Sequence, residues 1–427
     1  MKKIKAWLMI ATFILVLSAC SAQPEAVSIP TEIPLEPAVT STQILIMTPT
    51  IEISPTSIPS PTVTPQPTAV PFKNPGEEIK IAALMPLSGG LEFLGQPGLN
   101  GAQLAIENWN MKGGVLGSKI SLLVEDTQAK TDIATTEVTK LIQIEQIHYI
   151  LGEMVSPVSV PISQMAEHYG VVQISPSSSR EDLTINPVGK VKKFVFRTCF
   201  IDPYQGTAMA KYALGMELKT AFLLYDNGEP FSSSLVKAFE KTFTEGGGKV
   251  VGKVGMNSDN KDFSQAFEQL KQSNADLIYM PYLSGRASMG AEQFYNLGLK
   301  NVLMGGNGWV FDDNNQLYFE GGLFTTDYII SNPSSQNKEF VEQYKSKYGK
   351  DPDAFVALGF DSANLLLTAI DKGGKDDPAV VKDILASIEF EGVTGMIRFD
   401  KMHNPQKSVV IAQFKNKSTE FVGEVTP

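Results

Sequence analysis

Cysteine is nearly absent: the 427 residues include only Cys20 and Cys199. Two thiols so far apart cannot form the disulfide framework that staples small secreted domains. Histidine is equally scarce, and His148, His168 and His403 are too scattered to build a Cys/His zinc cluster. Catalytic signatures are missing as well. There is no G-x-S-x-G elbow, no H-E-x-x-H, no G-x-x-x-x-G-K-[ST] phosphate loop, and no G-x-G-x-x-G after the first strand-like run. Paired acids such as Glu125-Asp126 and Asp376-Asp377 read as surface turns. No enzymatic chemistry is indicated and no cofactor or metal is expected. An excess of basic residues is also lacking: the net charge is −10, and removing a leader that contains Lys2, Lys3 and Lys5 would make the chain more acidic still. A nucleic-acid partner needs basic patches to neutralise phosphates, so none is expected here.

What is present begins at the N-terminus. Lys2, Lys3 and Lys5 precede an uninterrupted apolar stretch from Ala6 to Ala19. That stretch is shorter than the ~20 residues a membrane-spanning helix needs, so it reads as a signal-peptide core. It ends in Leu17-Ser18-Ala19-Cys20, which resembles the bacterial lipobox, whose cysteine is acylated and becomes the new N-terminus. Acyl chains contribute ~0.8 kcal/mol per buried CH₂, so several would hold the protein at a membrane surface. From residue 21 to about residue 77 the composition turns to Pro, Thr and Ser. Proline at this density removes amide donors and favours extended backbone, so the segment reads as a disordered tether reaching ~3 Å per residue.

Beyond the tether, short apolar runs alternate with amphipathic segments. IKIAALMPL, ISLLVED, IHYILGEM, GVVQISP, TAFLLYD, KVVGKVG, DLIYMPY and NVLMGG are strand-like. Gly98 to Met111, Thr131 to Gln146, Gly206 to Glu217, Ser232 to Glu245, Asp262 to Gln272 and Gly285 to Gly298 are helix-like. Strict alternation predicts an α/β fold with parallel sheets covered on both faces. The body, residues 78–427, is too long for one core, and the alternation restarts after Arg197. Two similar lobes follow, one before Arg197 and one after Asp202. Ligands of open parallel sheets bind beyond the carboxyl ends of the strands, so strand-end loops from both lobes are candidates for a shared cleft.

From Ile79 to about Val422 the chain resembles the type 1 periplasmic binding proteins, in particular the branched-chain amino acid (Leu/Ile/Val) and amide receptors of ABC importers. The resemblance rests on IKIAALMPLSGGLEFLGQPGLNGAQLAIENWNMKGGVLGSKISLLVED, YILGEMVSPVSVPISQMAEHYGVVQISPSSS, FVFRTCFIDPYQGTAMAKYAL and FEGVTGMIRFD, in that order and spacing. It implies two Rossmann-like lobes joined by a three-stranded hinge with crossings near Thr198, Thr326 and Gly395, the first lobe about 78–198 and 327–395 and the second about 199–326 and 396–427.

The resemblance also suggests a site. Ser156, in Gly152-Glu153-Met154-Val155-Ser156, corresponds to a residue whose hydroxyl meets the ligand's α-carboxylate, and a helix N-terminus is a natural anion site. Ser177 and Ser179, in Ser175-Pro176-Ser177-Ser178-Ser179, correspond to contacts for the carboxylate and ammonium. Phe231 fits an aromatic position if one extra residue is allowed, Tyr282 stands near another, and Trp309 is a candidate to close over the ligand. Asn307 departs from the pattern, because similar receptors place a carboxylate there to pair with the α-ammonium. A buried cation without a counter-ion is expensive. Three outcomes stay open: Glu153 or another acid supplies the charge, the ligand has no ammonium, or the matching carboxylate is offset by a position. Cys199 reads as a small buried hydrophobe, and Gln205-Gly206 as a helix start.

Taken together, these readings predict a monomeric, lipid-anchored, extracytoplasmic receptor for an amino acid, amide or small carboxylate. It would close about its hinge and deliver ligand to an ABC permease pair. Two alternatives share the fold: a sensor that signals to a membrane receptor, and a hydrolase, for which no motif speaks.

Overall fold

The computed structural model describes residues 77–426, with Val310, Asp312 and Asp313 left out. The leader, Cys20 and the tether up to residue 76 lie outside the described residues.

The first sheet holds β1 (Glu78–Met85), β2 (Lys119–Asp126), β3 (Tyr149–Gly152), β4 (Val172–Ser175) and β5 (Val195–Arg197), all parallel, in the order β2-β1-β3-β4-β5. β3 and β4 are buried at every residue, so they read as continuous apolar runs and not as alternation. Helices α1 (Glu92–Met111), α2 (Thr131–Gln143) and α3 (Ser156–Tyr169) connect the first four strands. After β5 the chain enters the second sheet's territory. There α4 (Asp202–Gly215) leads to β6 (Thr220–Asp226), α5 (Pro230–Glu245), β7 (Lys249–Met256), α6 (Ser264–Ser273), β8 (Leu277–Tyr279), α7 (Ser284–Asn296), β9 (Val302–Gly305) and β10 (Leu323–Thr326).

The chain then returns to the first lobe as α8 (Ser335–Tyr348), α9 (Ala354–Gly373) and α10 (Pro378–Ser387), followed by a hairpin of β11 (Glu389–Gly392) and β12 (Gly395–Arg398). It ends in the second sheet with β13 (Val409–Lys415) and β14 (Ser418–Val425), giving the order β14-β13-β10-β9-β8-β6-β7. This sheet is not wholly parallel. β13 runs antiparallel to both β10 and β14. Asn416 and Lys417, the two residues between β13 and β14, have φ of 52° and 62°, the left-handed pair that a two-residue hairpin requires.

Close helix crossings fix the layers. A Cβ on Gly101 of α1 would stand 2.0 Å from the Val356 carbonyl oxygen, and one on Gly359 of α9 would stand 2.1 Å from that of Gly98. α1 starts at Glu92, earlier than the sequence suggests, with Pro97 inside it. The extra first turns carry Phe93 and Leu94 to the cleft.

Three connections link the lobes. The first two run after Arg197 and after Thr326. The third runs later than Gly395, because Ile397 and Phe399 pack into the first lobe's core and His403 stacks on Phe196 at 4.2 Å. The crossings are tied together: Lys407 pairs with Asp327 at 3.0 Å with both side chains 1% exposed, and Thr198 bonds Ser362 at 2.7 Å.

Candidate functional site

On the first lobe, β3 and β4 stop side by side and their loops are stitched together by serine hydroxyls. Ser175 Oγ donates to the Glu153 carbonyl at 2.6 Å, Ser177 Oγ to the Met154 carbonyl at 2.7 Å, and Ser178 Oγ to Ser159 Oγ at 2.5 Å. Gln173 Nε2 donates to the Gly152 carbonyl at 2.8 Å. The loops thus form a wall held by its own bonds. α3 begins in this wall at Ser156, with Pro157 in its first turn, and Ser156 Oγ accepts from the Arg180 amide at 3.4 Å.

Facing the wall is a cavity of about 380 Å³. Ser156, Ser177, Ser179 and Arg180 line it from the first lobe, and Asp202, Glu229, Phe231, Leu283 and Asn307 from the second. Ser156, Ser177, Ser179, Phe231 and Asn307 therefore share one crevice. The Asn307 loop is held from behind by Gln205, whose Oε1 accepts from the Asn307 amide at 3.0 Å and from Thr325 Oγ1 at 2.7 Å. Gln205 thus shapes the site without lining it.

The acids on the second lobe were not anticipated. Asp202, the first residue of α4, is 3% exposed, and its Oδ1 has no partner among the described residues. Burial pushes its carboxyl up to about 6, against the downward pull of the Ser179 hydroxyl and the Arg197 guanidinium. Glu229 caps α5 by accepting from the Ser232 amide at 2.9 Å, and burial raises its pKa too. The cavity lining thus offers hydroxyls, the Arg180 guanidinium and a helix N-terminus, which suit an anion. It also offers the carboxyls of Asp202, whose amide bonds the Ser179 carbonyl at 3.2 Å, and Glu229, which suit a cation.

The family model described as periplasmic binding protein matches residues 78–419. The chain belongs to that family. Among curated relatives, the leucine-, isoleucine-, valine-, threonine- and alanine-binding protein of Pseudomonas aeruginosa is 25% identical over 331 residues, covering 76% of this chain and 86% of that protein. The Leu/Ile/Val-binding protein of Escherichia coli is 25% identical over 330 residues, covering 76% and 87%. Among solved structures, the leucine binding protein LivK of Thermotoga maritima is 33% identical with a TM-score of 0.72, covering 82% of this chain and 99% of that one. The branched-chain amino acid transporter substrate binding protein LivJ of Streptococcus pneumoniae, in complex with isoleucine, is 27% identical with a TM-score of 0.73, covering 82% and 100%. The fold is that of the type 1 periplasmic binding proteins, and the protein is a solute-binding protein and not an enzyme.

Within this periplasmic binding protein three anticipated site residues stand elsewhere. Glu153 is fully buried behind the wall, accepting from Thr127 Oγ1 at 2.8 Å and the Val155 amide at 2.6 Å, and burial pushes its carboxyl up to about 7. It is spent on its own lobe. Tyr282 is 1% exposed, edge-on to Phe263 and beneath Arg286 at 5.0 Å, and its neighbour Leu283 faces the cleft instead. The offset is one residue in a loop, where strand alternation no longer dictates which side chain faces inward. Trp309 is 4% exposed, donates Nε1 to the Met280 carbonyl at 3.2 Å, and lines a second cavity beside the first.

The missed residues differ in how findable they were. Asp202 and Glu229 are acids that open helices after strand ends, Asp202 as the first residue of α4 and Glu229 just before α5, a local signal that can be read from sequence. Phe355 reaches the cavity from α9, and no local pattern announces that.

Proposed function

We propose that this protein is the extracytoplasmic substrate-binding component of an ABC importer, lipid-anchored through Cys20, and that its ligand is an amino acid, branched-chain or larger. The observation that carries this reading is the lining of the cleft, which holds the Ser156 helix start and Arg180 together with Asp202, whose Oδ1 has no partner among the described residues. That arrangement matches a zwitterion. Asp202, aided by Glu229, takes over the counter-ion role that Asn307 cannot fill. The relatives named for leucine, isoleucine and valine support the ligand class.

The mechanism is closure. Ligand meets the preformed serine wall, and rotation about the three connections brings Phe231, Leu283 and Asn307 over it. A micromolar receptor needs ~8 kcal/mol, within reach of a few charge-assisted bonds in a cleft that excludes water. Ligand released to a permease pair, with the protein held as a monomer on its tether, completes the cycle.

A thermal-shift screen against the proteinogenic amino acids, their amides and their deaminated acids tests this reading. Stabilisation follows RT ln(1 + [L]/Kd), so a true ligand at a hundredfold excess over Kd adds ~2.7 kcal/mol. At least one amino acid should raise the melting temperature by several degrees and compact the protein in small-angle scattering. A screen in which only the deaminated acids stabilise would remove the zwitterion, and no compaction would remove hinge closure.

A further inference from the structure

Next to the polar cavity lies a second one of about 400 Å³, and the two share Phe93, Asn307 and Phe355. Trp309, Phe311 and Phe324 of the second lobe and Ile330, Phe355 and Leu358 of the first line its apolar surface. The rings meet at angles, Phe311 edge-on to Phe324 at 5.0 Å and to Trp309 at 6.5 Å. Polar side chains also line it, and several are already engaged inside the protein. Asp327 pairs with Lys407 and accepts from the Phe200 amide, Asp353 accepts from the Val356 amide at 2.9 Å, and Thr326 Oγ1 donates to the Tyr328 carbonyl at 3.1 Å. Tyr328 Oη donates to Asn337 at 2.8 Å, and Trp309 Nε1 to the Met280 carbonyl.

A cavity lined by clustered rings, with much of its polar lining committed elsewhere, offers chiefly contact area and suits an apolar occupant. The neighbouring cavity is the reverse, with the Asp202 carboxylate oxygen still unpartnered. One ligand that spans both has a charged head and a large apolar tail, with Asn307 at the junction between them.

We propose that the aromatic cavity seats the ligand's side chain, so that this receptor prefers amino acids with a long aromatic or extended apolar side chain over leucine. The proposal rests on reading the polar cavity as the site of the ligand's head group.

Calorimetry on the full chain with L-leucine, L-phenylalanine and L-homophenylalanine tests it. Homophenylalanine should bind at least about tenfold tighter than leucine, the low end of what a filled apolar pocket contributes to discrimination. Ala354→Phe and, separately, Ile330→Phe fill the cavity and should bring that ratio to within about twofold. If both variants lose cooperative melting, the wild-type ratio decides alone. Ser156→Ala, at the head group, should weaken all three probes together by about tenfold. Leucine binding as tightly as homophenylalanine in the wild type, or a ratio that neither filled variant changes, overturns the aromatic seat and leaves the head-group site standing. Binding of none of the probes by the wild type overturns both.

Discussion

The two walls of the cleft are built on opposite plans. On the first lobe, small hydroxyls are bonded to carbonyls of the same lobe, with Ser177 on Met154 and Ser175 on Glu153. On the second lobe the wall carries Asp202, Glu229 and Phe231, and the Asp202 carboxylate keeps an oxygen unpartnered. A wall that satisfies itself is preorganised and loses little entropy when ligand arrives. A wall with an unsatisfied buried carboxylate is costly until a cation meets it. On the proposed reading the first lobe orients the ligand, and the second selects its charge.

The sharpest way to break this comparison is Asp202→Asn, which keeps the shape and the acceptor for Ser179 while removing the charge. At pH 7.5 it should lower affinity for L-leucine about a hundredfold, close to 2.7 kcal/mol, as expected when one member of a buried charge pair is lost. The deaminated analogue 4-methylpentanoate should lose much less. Equal losses measured by calorimetry would show that the second wall does not read charge. With its carboxyl at about 6, Asp202 is an anion at neutral pH, so wild-type leucine affinity should fall as pH drops through that value.

Glu153 probes the self-satisfied wall. Its folded pKa of about 7 lies above the ordinary 4.5, because burial outweighs the bonds from Val155 and Thr127. Between those values the folded protein keeps a proton that the unfolded chain gives up. Stability therefore falls as pH rises through the window, by about 3 kcal/mol, and is level above it. Glu153→Gln cannot ionise and should flatten this decline in urea titrations at pH 5 and pH 8; an unchanged slope would place the titrating group elsewhere. The smallest effect belongs to Tyr282→Phe. The Tyr282 hydroxyl is buried without a partner, and the ring lies in the second lobe's core. Ligand affinity should stay within about twofold and the melting temperature should not fall. A larger change in affinity would mean that Tyr282 reaches the ligand after closure.

Much of the fold was legible. Apolar runs such as IKIAALMPL and GVVQISP became β1 and β4, since strands buried on both faces announce themselves through composition. The serine loops were legible for the same reason: they follow strands whose ends can be read. What escaped notice depended on direction or distance. Whether Tyr282 or Leu283 faces the cleft is decided after β8 has ended, where alternation has no force. Glu153 was plausible by position, but the Thr127 hydroxyl from the loop after β2 claims it. The antiparallel β13 joins the second sheet from the end of the chain, long after the alternation that defined that sheet has ceased.

By itself the sequence determined the α/β alternation, the doubling into lobes and the strand-end loops, because all of these follow from local patterns of apolar, small and turn-forming residues. Only the tertiary structure decided which acid stands opposite the serines, that Glu153 and Tyr282 turn away, and that Trp309, Phe311 and Phe355 meet around a second cavity. Each of those outcomes is a contact between segments far apart in the chain, and local pattern carries no information about which segments will meet.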